Sequence, residues 1–554
     1  MVYMVKSPLR REPTDPDGHG APYPVTMRLH LSRSDRPPAP ILLAGLALVV
    51  GLVDVVSALT PEMAERVHVV SRVLSLDVQL AARGLTLASG IALLLLASSL
   101  ARRKHRAWVL AVVLVSAGTV LHVVKGLDLE ESLVNLALLL FLVRSRRWFD
   151  APGDPASLRL ILGGTALLAW LVVAVVAIPS GPGMDESRIV HVAVLTLAVM
   201  TAIWLVHLWL RPWREPAGQT DEEHDRARRI VLEWGEDSLS FFALRRDRRY
   251  AFSEQGDALL AYRVVAGCAL ISGDPIGNPA SIPDLVSDFA AIAHRHGWRL
   301  VVLHCSDSWV GMFRDMGLRA IAIGDEAVLH TETFSLEGRP IRKVRQSVTR
   351  LQRLGHSVLV LAPAELDAAQ RAAIERVSQE WLNGWPDRGF SMAMDDLFAH
   401  PQARFALARD ADGELEGFLH LVPSRRGYSL SSMRRLRSSP NGLIEFLIAE
   451  TVVWAKEQRA EEISLNFSVF ADVLRADGTA SWPIRATRWS LLRLDRLFQL
   501  ERLFSFNRKF FPEWRRRYIC FERHRDVPLL GVATLHVERL LAPPRRSTPR
   551  SQRR

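Results

Sequence analysis

Apolar and charged positions alternate in blocks along the N-terminal part of the chain. Apolar runs cover Pro40–Leu59, Gly84–Leu100, Ala107–Val124, Ser132–Val143, Leu160–Ile178 and Ile189–Leu210. Most approach the ~20 apolar residues that cross a bilayer, so the pattern predicts a six-helix transmembrane domain over residues 39–211. The fourth run is short and needs the Gly126–Glu131 stretch, or a tilt, to span. The second and fourth connectors are basic, Arg102-Arg103-Lys104-His105-Arg106 and Arg144-Ser145-Arg146-Arg147. By contrast, Asp128-Leu129-Glu130-Glu131 and Pro179–Arg188 are acidic or mixed. The positive-inside rule then makes the chain a multi-pass protein of the cell membrane with cytoplasmic N- and C-termini. Residues 1–38 form a basic, Pro-rich leader expected to be disordered, with no signal-peptide pattern, so the first helix serves as the insertion signal.

After a charged linker at 212–227 the periodicity changes. A helix is expected near Ala227–Trp234. Ala258–Val265 and Cys268–Ser272 read as a hairpin around Ala266-Gly267. Ser281-Ile282-Pro283-Asp284 has the S-x-x-D capping-box pattern and opens a helix to His296. Strand Leu300–His304, helix Ser308–Met316, strand Arg319–Ile323, basic helix Arg339–Leu354 and strand Ser357–Leu361 follow. The pattern then restarts: helix Glu365–Asn383, strands Ala403–Arg409, Leu415–Leu421 and Tyr428–Met433, helix Asn441–Arg459 and strand Glu462–Asn466. Two mixed units, 228–362 and 363–526, imply a duplicated α+β fold in the cytosol. Residues 527–554 are assigned to a basic C-terminal tail.

The formal net charge of +11 suits anionic lipid headgroups or nucleic acid, although positive-inside loops alone would also raise it. The three cysteines, Cys268, Cys305 and Cys520, have no metal-ligand spacing and read as reduced core residues. No Walker, G-x-S-x-G or H-E-x-x-H motif occurs. The Gly-rich pyrophosphate loop of an acetyl-CoA-dependent acyltransferase is also missing.

Three features carry candidate chemistry, each with a plainer alternative. Ser272-Gly273-Asp274-Pro275-Ile276-Gly277 places Asp274 at a strand end in a turn that a ligand could approach, or forms an ordinary Asp-Pro turn. Arg434 ends a strand before Pro440-Asn441-Gly442. Asn441 reads as a helix N-cap, with Glu445 one turn inside, an arrangement suited to an anion or a developing oxyanion. The alternative is a cap and a surface ion pair. Arg485–Tyr518 interleaves aromatic residues with Arg493, Arg496, Arg502 and other basic residues on helical stretches. It fits a lipid- or RNA-facing surface, or a packing helix with a solvated basic face.

In order along the chain, Gly235–Phe242, Tyr262–Gly267, Ser272–Gly277, Gly324–Ala327, Leu336–Arg339 with Val344-Arg345-Gln346, Met433-Arg434, Pro440–Gly442 with Glu445–Leu447, Leu465-Asn466-Phe467 and Phe506–Trp514 with Arg517-Tyr518 resemble the catalytic domain of the phosphatidylglycerol lysyltransferase (multiple peptide resistance factor) family. The likeness is to its actinobacterial forms with a short membrane domain. The resemblance implies tandem GNAT-like acyltransferase units. It also implies transfer of an aminoacyl group, lysine in the first instance, from a charged tRNA to the glycerol hydroxyl of phosphatidylglycerol, altering membrane charge and resistance to cationic peptides. Arg434, Asn441, Glu445 and Lys509 carry over as catalytic. Asp274, Glu326, Arg345, Ser431, Asn466 and Arg517 carry over as substrate-binding. The expected partners are charged tRNA, phosphatidylglycerol with the anionic inner leaflet, and a second copy of the chain. No cofactor is expected, because an aminoacyl-tRNA ester is already activated. The family often has an acidic residue where this chain has Ser431, and many members have lysine where it has Asn507. A lipid- or RNA-binding membrane protein with weakened catalysis, or a transferase for another polar lipid, are the alternatives.

Overall fold

The computed structural model describes residues 38–60, 76–126, 128–151, 157–177, 185–209, 218–385, 387, 389, 392–469 and 500–539. Helices α1 (Pro38–Leu59), α2 (Leu76–Leu100), α3 (His105–Gly126), α4 (Leu129–Arg144), α5 (Ser157–Ala177) and α6 (Asp185–Trp209) form over the six apolar runs. Among the described residues, only α1, α2 and α3 are long and apolar enough to cross a membrane by length and composition. α4 has 16 residues, about 24 Å at 1.5 Å per residue, and falls short. α5 and α6 carry shorter apolar stretches, Leu160–Leu171 and Thr196–Val206. Gly51 of α1 faces Gly90 of α2, and a Cβ on either would come within 2.8 Å of the other's carbonyl oxygen. Small residues permit this close crossing, around which Ala47, Leu93, Leu96, Ala111 and Leu142 pack.

Among the described residues, those from Gly218 onward build one sheet with its helices. Its strands are β1 (Arg249–Phe252), β2 (Ala258–Val265), β3 (Cys268–Ser272), β4 (Ile276–Gly277), β5 (Arg299–Ser306), β6 (Arg319–His330), β7 (Ser357–Leu361), β8 (Arg404–Arg409), β9 (Leu415–Ser424), β10 (Gly427–Arg435), β11 (Glu462–Val469) and β12 (Glu513–Phe521). The order is β1-β2-β3-β5-β12-β6-β11-β10-β9-β8-β7, with β4 paired to β2. β3–β5 and β10–β11 are parallel and the other pairs antiparallel. The two halves join where β6 runs beside β11, with Ser464 opposite Val328.

Helices α7 (Asp221–Trp234), α8 (Ile282–Arg295), α9 (Asp307–Asp315), α10 (Arg342–Arg353), α11 (Ala368–Leu382), α12 (Leu443–Glu457), α13 (Leu500–Asn507) and α14 (Val527–Val537) accompany the sheet. One core packs Val286, Phe289 and Phe313 beneath the first half. Another packs Val344, Val348, Phe446 and Leu447 beneath the second. Phe241, Phe242 and Leu244 bridge towards Met394 and Val422.

Several elements differ from the sequence reading. α7 begins inside the expected linker because Thr220 and Glu223 form a reciprocal capping box. The expected box at Ser281 is absent: Ser281 is the N-cap of α8 but sits in a helical conformation and makes no side-chain cap bond. α14 starts where a tail was expected, and Leu530, Ala533 and Val537 enter a core with Leu270 and Val301.

The largest correction concerns Arg485–Tyr518. Residues 470–499, including Arg493 and Arg496, lie outside the described part. Among the described residues of this stretch, Leu500–Asn507 is α-helical and Arg508–Phe510 a 3-10 turn, whereas Glu513–Phe521 is a strand between β5 and β6. Tyr518, Ile519 and Phe521 have strand-favouring shapes, and carboxylates of β6 and β11 pair with the arginines that precede them. Arg515, for instance, donates two hydrogen bonds to Glu462, at 3.1 and 2.8 Å.

Candidate active site

Irregularities in the middle strands gather the polar residues. β10 shifts register between Leu430 and Ser432, leaving Ser431 as the extra residue. β11 shifts between Ser464 and Phe467, where Asn466 has φ 68°. The β12–β6 pairing shifts between Arg517 and Tyr518. Such bulges re-aim side chains and are common beside active sites. Ser431, Asn466 and Arg517, three of the residues expected in the site, thus stand at three bulges near the centre of the sheet.

Arg517 is buried, and its guanidinium is ringed by carboxylates. Its Nε donates to Glu326 Oε2 at 3.0 Å, and its Nη2 donates to the same oxygen. Nη2 also donates to Asp237 Oδ1 at 2.7 Å and to Ser238 Oγ at 3.0 Å. Nη1 lies 4.0 Å from Asp274 Oδ2. Glu326 Oε1 accepts from Ser238 and, at 2.5 Å, from Ser464 Oγ. Asp274 Oδ1 accepts from the Ser306 backbone N–H at 2.8 Å.

Three carboxylates therefore share one cation, and burial separates their behaviour. Desolvation and the neighbouring Asp237 push Asp274 up to about 6, against the pull of Arg517. Glu326 is held below its usual range: burial opposes this, but Arg517 and the hydrogen bonds of Ser238 and Ser464 outweigh it. Burial disfavours the charged Arg517, yet Asp237 and Glu326 more than compensate and keep it protonated.

The network continues through Ser464. Its Oγ accepts from the Asn466 backbone N–H at 3.1 Å. The Asn466 side chain donates to the carbonyls of Met392 and Leu430, each at 2.8 Å. Ser431 Oγ accepts from the Met394 N–H at 3.0 Å, which pins the 392–394 segment over the bulges. Asp274, Glu326, Ser431, Asn466 and Arg517 thus form one continuous site.

The other expected residues stand in two further groups. Arg434, buried on β10, donates to Ser378 Oγ and to Asp387 Oδ2, the latter at 2.5 Å. Lys509 Nζ donates to Glu445 Oε1 at 2.7 Å, at the first turn of α12, and lies 5.1 Å from the centre of the Phe506 ring. Lys509 is partly exposed and so can meet a solute. Asn441 is not the cap of α12: Gly442, at φ 90°, occupies that position with no side-chain cap bond. The Asn441 carbonyl instead accepts from Arg350 of α10. Arg345 donates to the carbonyls of Leu336 and Gly338 at 2.6 and 3.0 Å. With Gln346, Thr349, Arg350, Arg353 and Leu354 it lines a basic cleft of about 420 Å³.

Asp237, Ser238, Ser464, Ser378 and Asp387 were missed by sequence reasoning. Asp237 and Ser238 lie within the Gly235–Phe242 stretch, but nothing local marks them as partners of a strand almost three hundred residues away. Among the six apolar-run helices, a second basic cleft of about 560 Å³ is lined by His105, Arg144, Arg146, Arg147, Phe149 and Asp150. It adjoins the contact between the helical part and the sheet, where Gly297 packs against Ala151 and the Arg102 carbonyl.

Residues 228–521 match the family described as phosphatidylglycerol lysyltransferase, C-terminal. The chain belongs to that family. The lysylphosphatidylglycerol biosynthesis bifunctional protein LysX of Rhodococcus jostii is 36% identical over 341 residues, covering 60% of this chain and 31% of that protein. The Rhodococcus opacus protein of the same name is 34% identical over 386 residues, covering 68% and 35%. The chain spans about a third of the length of these relatives. The solved structure of L-PGS from Bacillus licheniformis is 23% identical, with a TM-score of 0.51 over 59% of this chain and 99% of that one, a likeness of fold. The phosphatidylglycerol lysyltransferase match contains all ten candidate catalytic and substrate-binding residues, and both the Arg517 network and the Lys509–Glu445 pair.

Proposed function

We propose that this chain is a membrane-bound aminoacyltransferase that moves lysine from a charged tRNA to the glycerol hydroxyl of phosphatidylglycerol. The observation that carries the reading is the family match over 228–521. The relatives named for lysylphosphatidylglycerol biosynthesis supply the lipid and the amino acid. Three helices able to cross a membrane, and basic clefts in both parts of the chain, fit a protein working where anionic lipid and tRNA meet. We read the two halves of the sheet as tandem GNAT-like units, and the chain as having cytoplasmic termini.

In the reaction the lipid hydroxyl oxygen attacks the aminoacyl ester carbon. A tetrahedral oxyanion forms, and the bond to the tRNA ribose oxygen breaks. The hydroxyl proton ends on that ribose oxygen, so one ester replaces another and no redox partner enters. What the protein supplies is orientation of two substrates and stabilisation of the oxyanion. Lys509 is the cation we read as meeting the lipid phosphate or the developing oxyanion, a reading its partial exposure supports. Glu445, held by Lys509, is the carboxylate at hand to relay the proton. Arg434 and the Arg517 network, with Asp274 and Asn466 as members of the latter, hold the shape of the site. Ser431, where relatives often carry an acid, bears on recognition of the aminoacyl amine.

Mass spectrometry of lipid extracts from cells with and without the protein tests the reading. Lysylated phosphatidylglycerol should appear only with the protein. A different aminoacylated lipid would reassign the donor or acceptor, and unchanged lipids would favour a binding protein without transfer.

A further inference from the structure

The end of the helical part remote from the sheet carries a polar cluster that the transfer reaction does not use. His122 of α3 lies about 26 Å along the helix from His105, at 1.5 Å per residue. One ring nitrogen of His122 and one carboxylate oxygen each of Asp128 and Glu131 lie within 4.8 Å of one another, with His122 and Asp128 buried and Glu131 half-buried. The tight connection between α3 and α4 makes this possible: the Asp128 N–H donates to the His122 carbonyl at 3.1 Å. Ser132 Oγ donates to the Thr119 carbonyl at 2.9 Å.

The imidazole is oriented by a second layer. His122 Nε2 stands 3.0 Å from Asp54 Oδ1 of α1, and Asn135 Nδ2 donates to the same oxygen at 2.9 Å. His122 Nδ1, Asp54 Oδ2 and Asn135 Oδ1 are buried with no hydrogen-bond partner. An imidazole held by a carboxylate through one nitrogen, with its other nitrogen unpartnered and two more carboxylates close to the ring, is the arrangement of a metal-ligating histidine and its supporting acid. Ionisable groups at such a place among apolar helices are costly unless paired or coordinating.

We propose that His122, Asp128 and Glu131 bind a divalent transition-metal ion, with Asp54 and Asn135 fixing the histidine. One imidazole with two carboxylates suits Zn²⁺ or Mn²⁺ better than Mg²⁺ or Ca²⁺, which prefer all-oxygen shells. The two ligand carboxylates balance the ion's charge. The ion would tie α3 to α4, and through Asp54 to α1. Ser57 Oγ, 3.4 Å from Glu131 Oε1, adds a further link to α1. The cluster lies outside the family-matched region 228–521 and stands independently of the transfer reaction.

The test uses the full chain purified in detergent. Metal content is measured after purification, and the chelator-treated protein is titrated with Zn²⁺, Mn²⁺ and Mg²⁺ in turn. Saturable uptake of about one equivalent of Zn²⁺ or Mn²⁺, with Mg²⁺ much weaker, is expected. Asp54→Asn should weaken binding about 10–100-fold through the histidine. Glu131→Gln, conservative and half-buried, should weaken it at least as much while the protein elutes as the parent does. A Co²⁺-loaded parent should give visible absorption bands that His122→Gln lacks. No saturable Zn²⁺ or Mn²⁺ uptake by the parent would overturn the proposal, as would uptake unchanged in both Glu131→Gln and His122→Gln. The cluster would then be a hydrogen-bonded clamp alone.

Discussion

Arg517 and Glu326, 191 residues apart in sequence, form a buried ion pair across adjacent strands β12 and β6. The last strand of the sheet thereby locks onto the first half of the fold, and the lock lies at the centre of the candidate site. Removing one partner leaves the other charged and buried. Glu326→Gln, which leaves Arg517 its bond to Asp237, should lower stability by roughly 1–3 kcal/mol. Arg517→Lys should also be costly, since an ammonium cannot reproduce the forked contacts to Glu326 and Asp237. Denaturant unfolding of the purified chain checks this, and a loss under about 1 kcal/mol in both variants would contradict a structural lock.

Asp274 predicts a pH signature. Its pKa is raised from the ordinary carboxylate range to about 6, so folding favours the neutral form. The stability it contributes is complete below about pH 4 and is lost as pH rises through about 6, a change on the order of 2–3 kcal/mol. Asp274→Asn, neutral throughout, should lack this component, so its advantage over the parent should grow between about pH 4 and pH 6 and level off above that. Thermal unfolding across that range measures it, and parallel curves for the two proteins would remove the assignment.

Lys509 and Arg434 should separate activity from stability. Lys509 is partly exposed, so Lys509→Ala should fold normally and lose roughly 10–100-fold in transfer, the worth of one charge-assisted contact. Glu445→Gln should behave alike. Arg434 is buried against Ser378 and Asp387, so Arg434→Ala should lose stability as well as activity. Parallel activity and unfolding measurements distinguish the cases. Full activity in Lys509→Ala would take that residue out of the site.

The region around Arg493, Arg496 and Arg502 is proposed to face lipid or the tRNA acceptor stem. Each basic group near an anionic surface contributes about 1 kcal/mol and is screened by salt. Replacing all three by Gln should weaken binding to anionic vesicles or tRNA, most strongly at low salt. An unchanged salt slope would mark the stretch as packing.

The hairpin at Ala266-Gly267 was legible because a two-residue turn with positive φ at both positions needs little beyond local chemistry. Most helices and strands between Ile282 and Glu462 were legible for the same reason, as periodic and capped segments. The route of β12 was not. A strand crowded with arginines looks like a surface helix until the partners Glu326, Asp237 and Glu462 are known, and these come from distant parts of the chain. The bulges at Ser431 and Asn466 were also invisible, because they arise from register between strands. The family pattern marked the candidate residues; only the folded sheet joined five of them through Ser464 and added Asp237 and Ser238.

The central claim is tested most directly by reconstitution. The chain in phosphatidylglycerol vesicles is supplied with tRNA charged with labelled lysine, and label in the lipid phase is counted. The account predicts lipid label that requires intact aminoacyl-tRNA, disappears on ribonuclease treatment and falls sharply with Lys509→Ala. Folded protein that binds both vesicles and tRNA yet yields no labelled lipid above the protein-free control would contradict it.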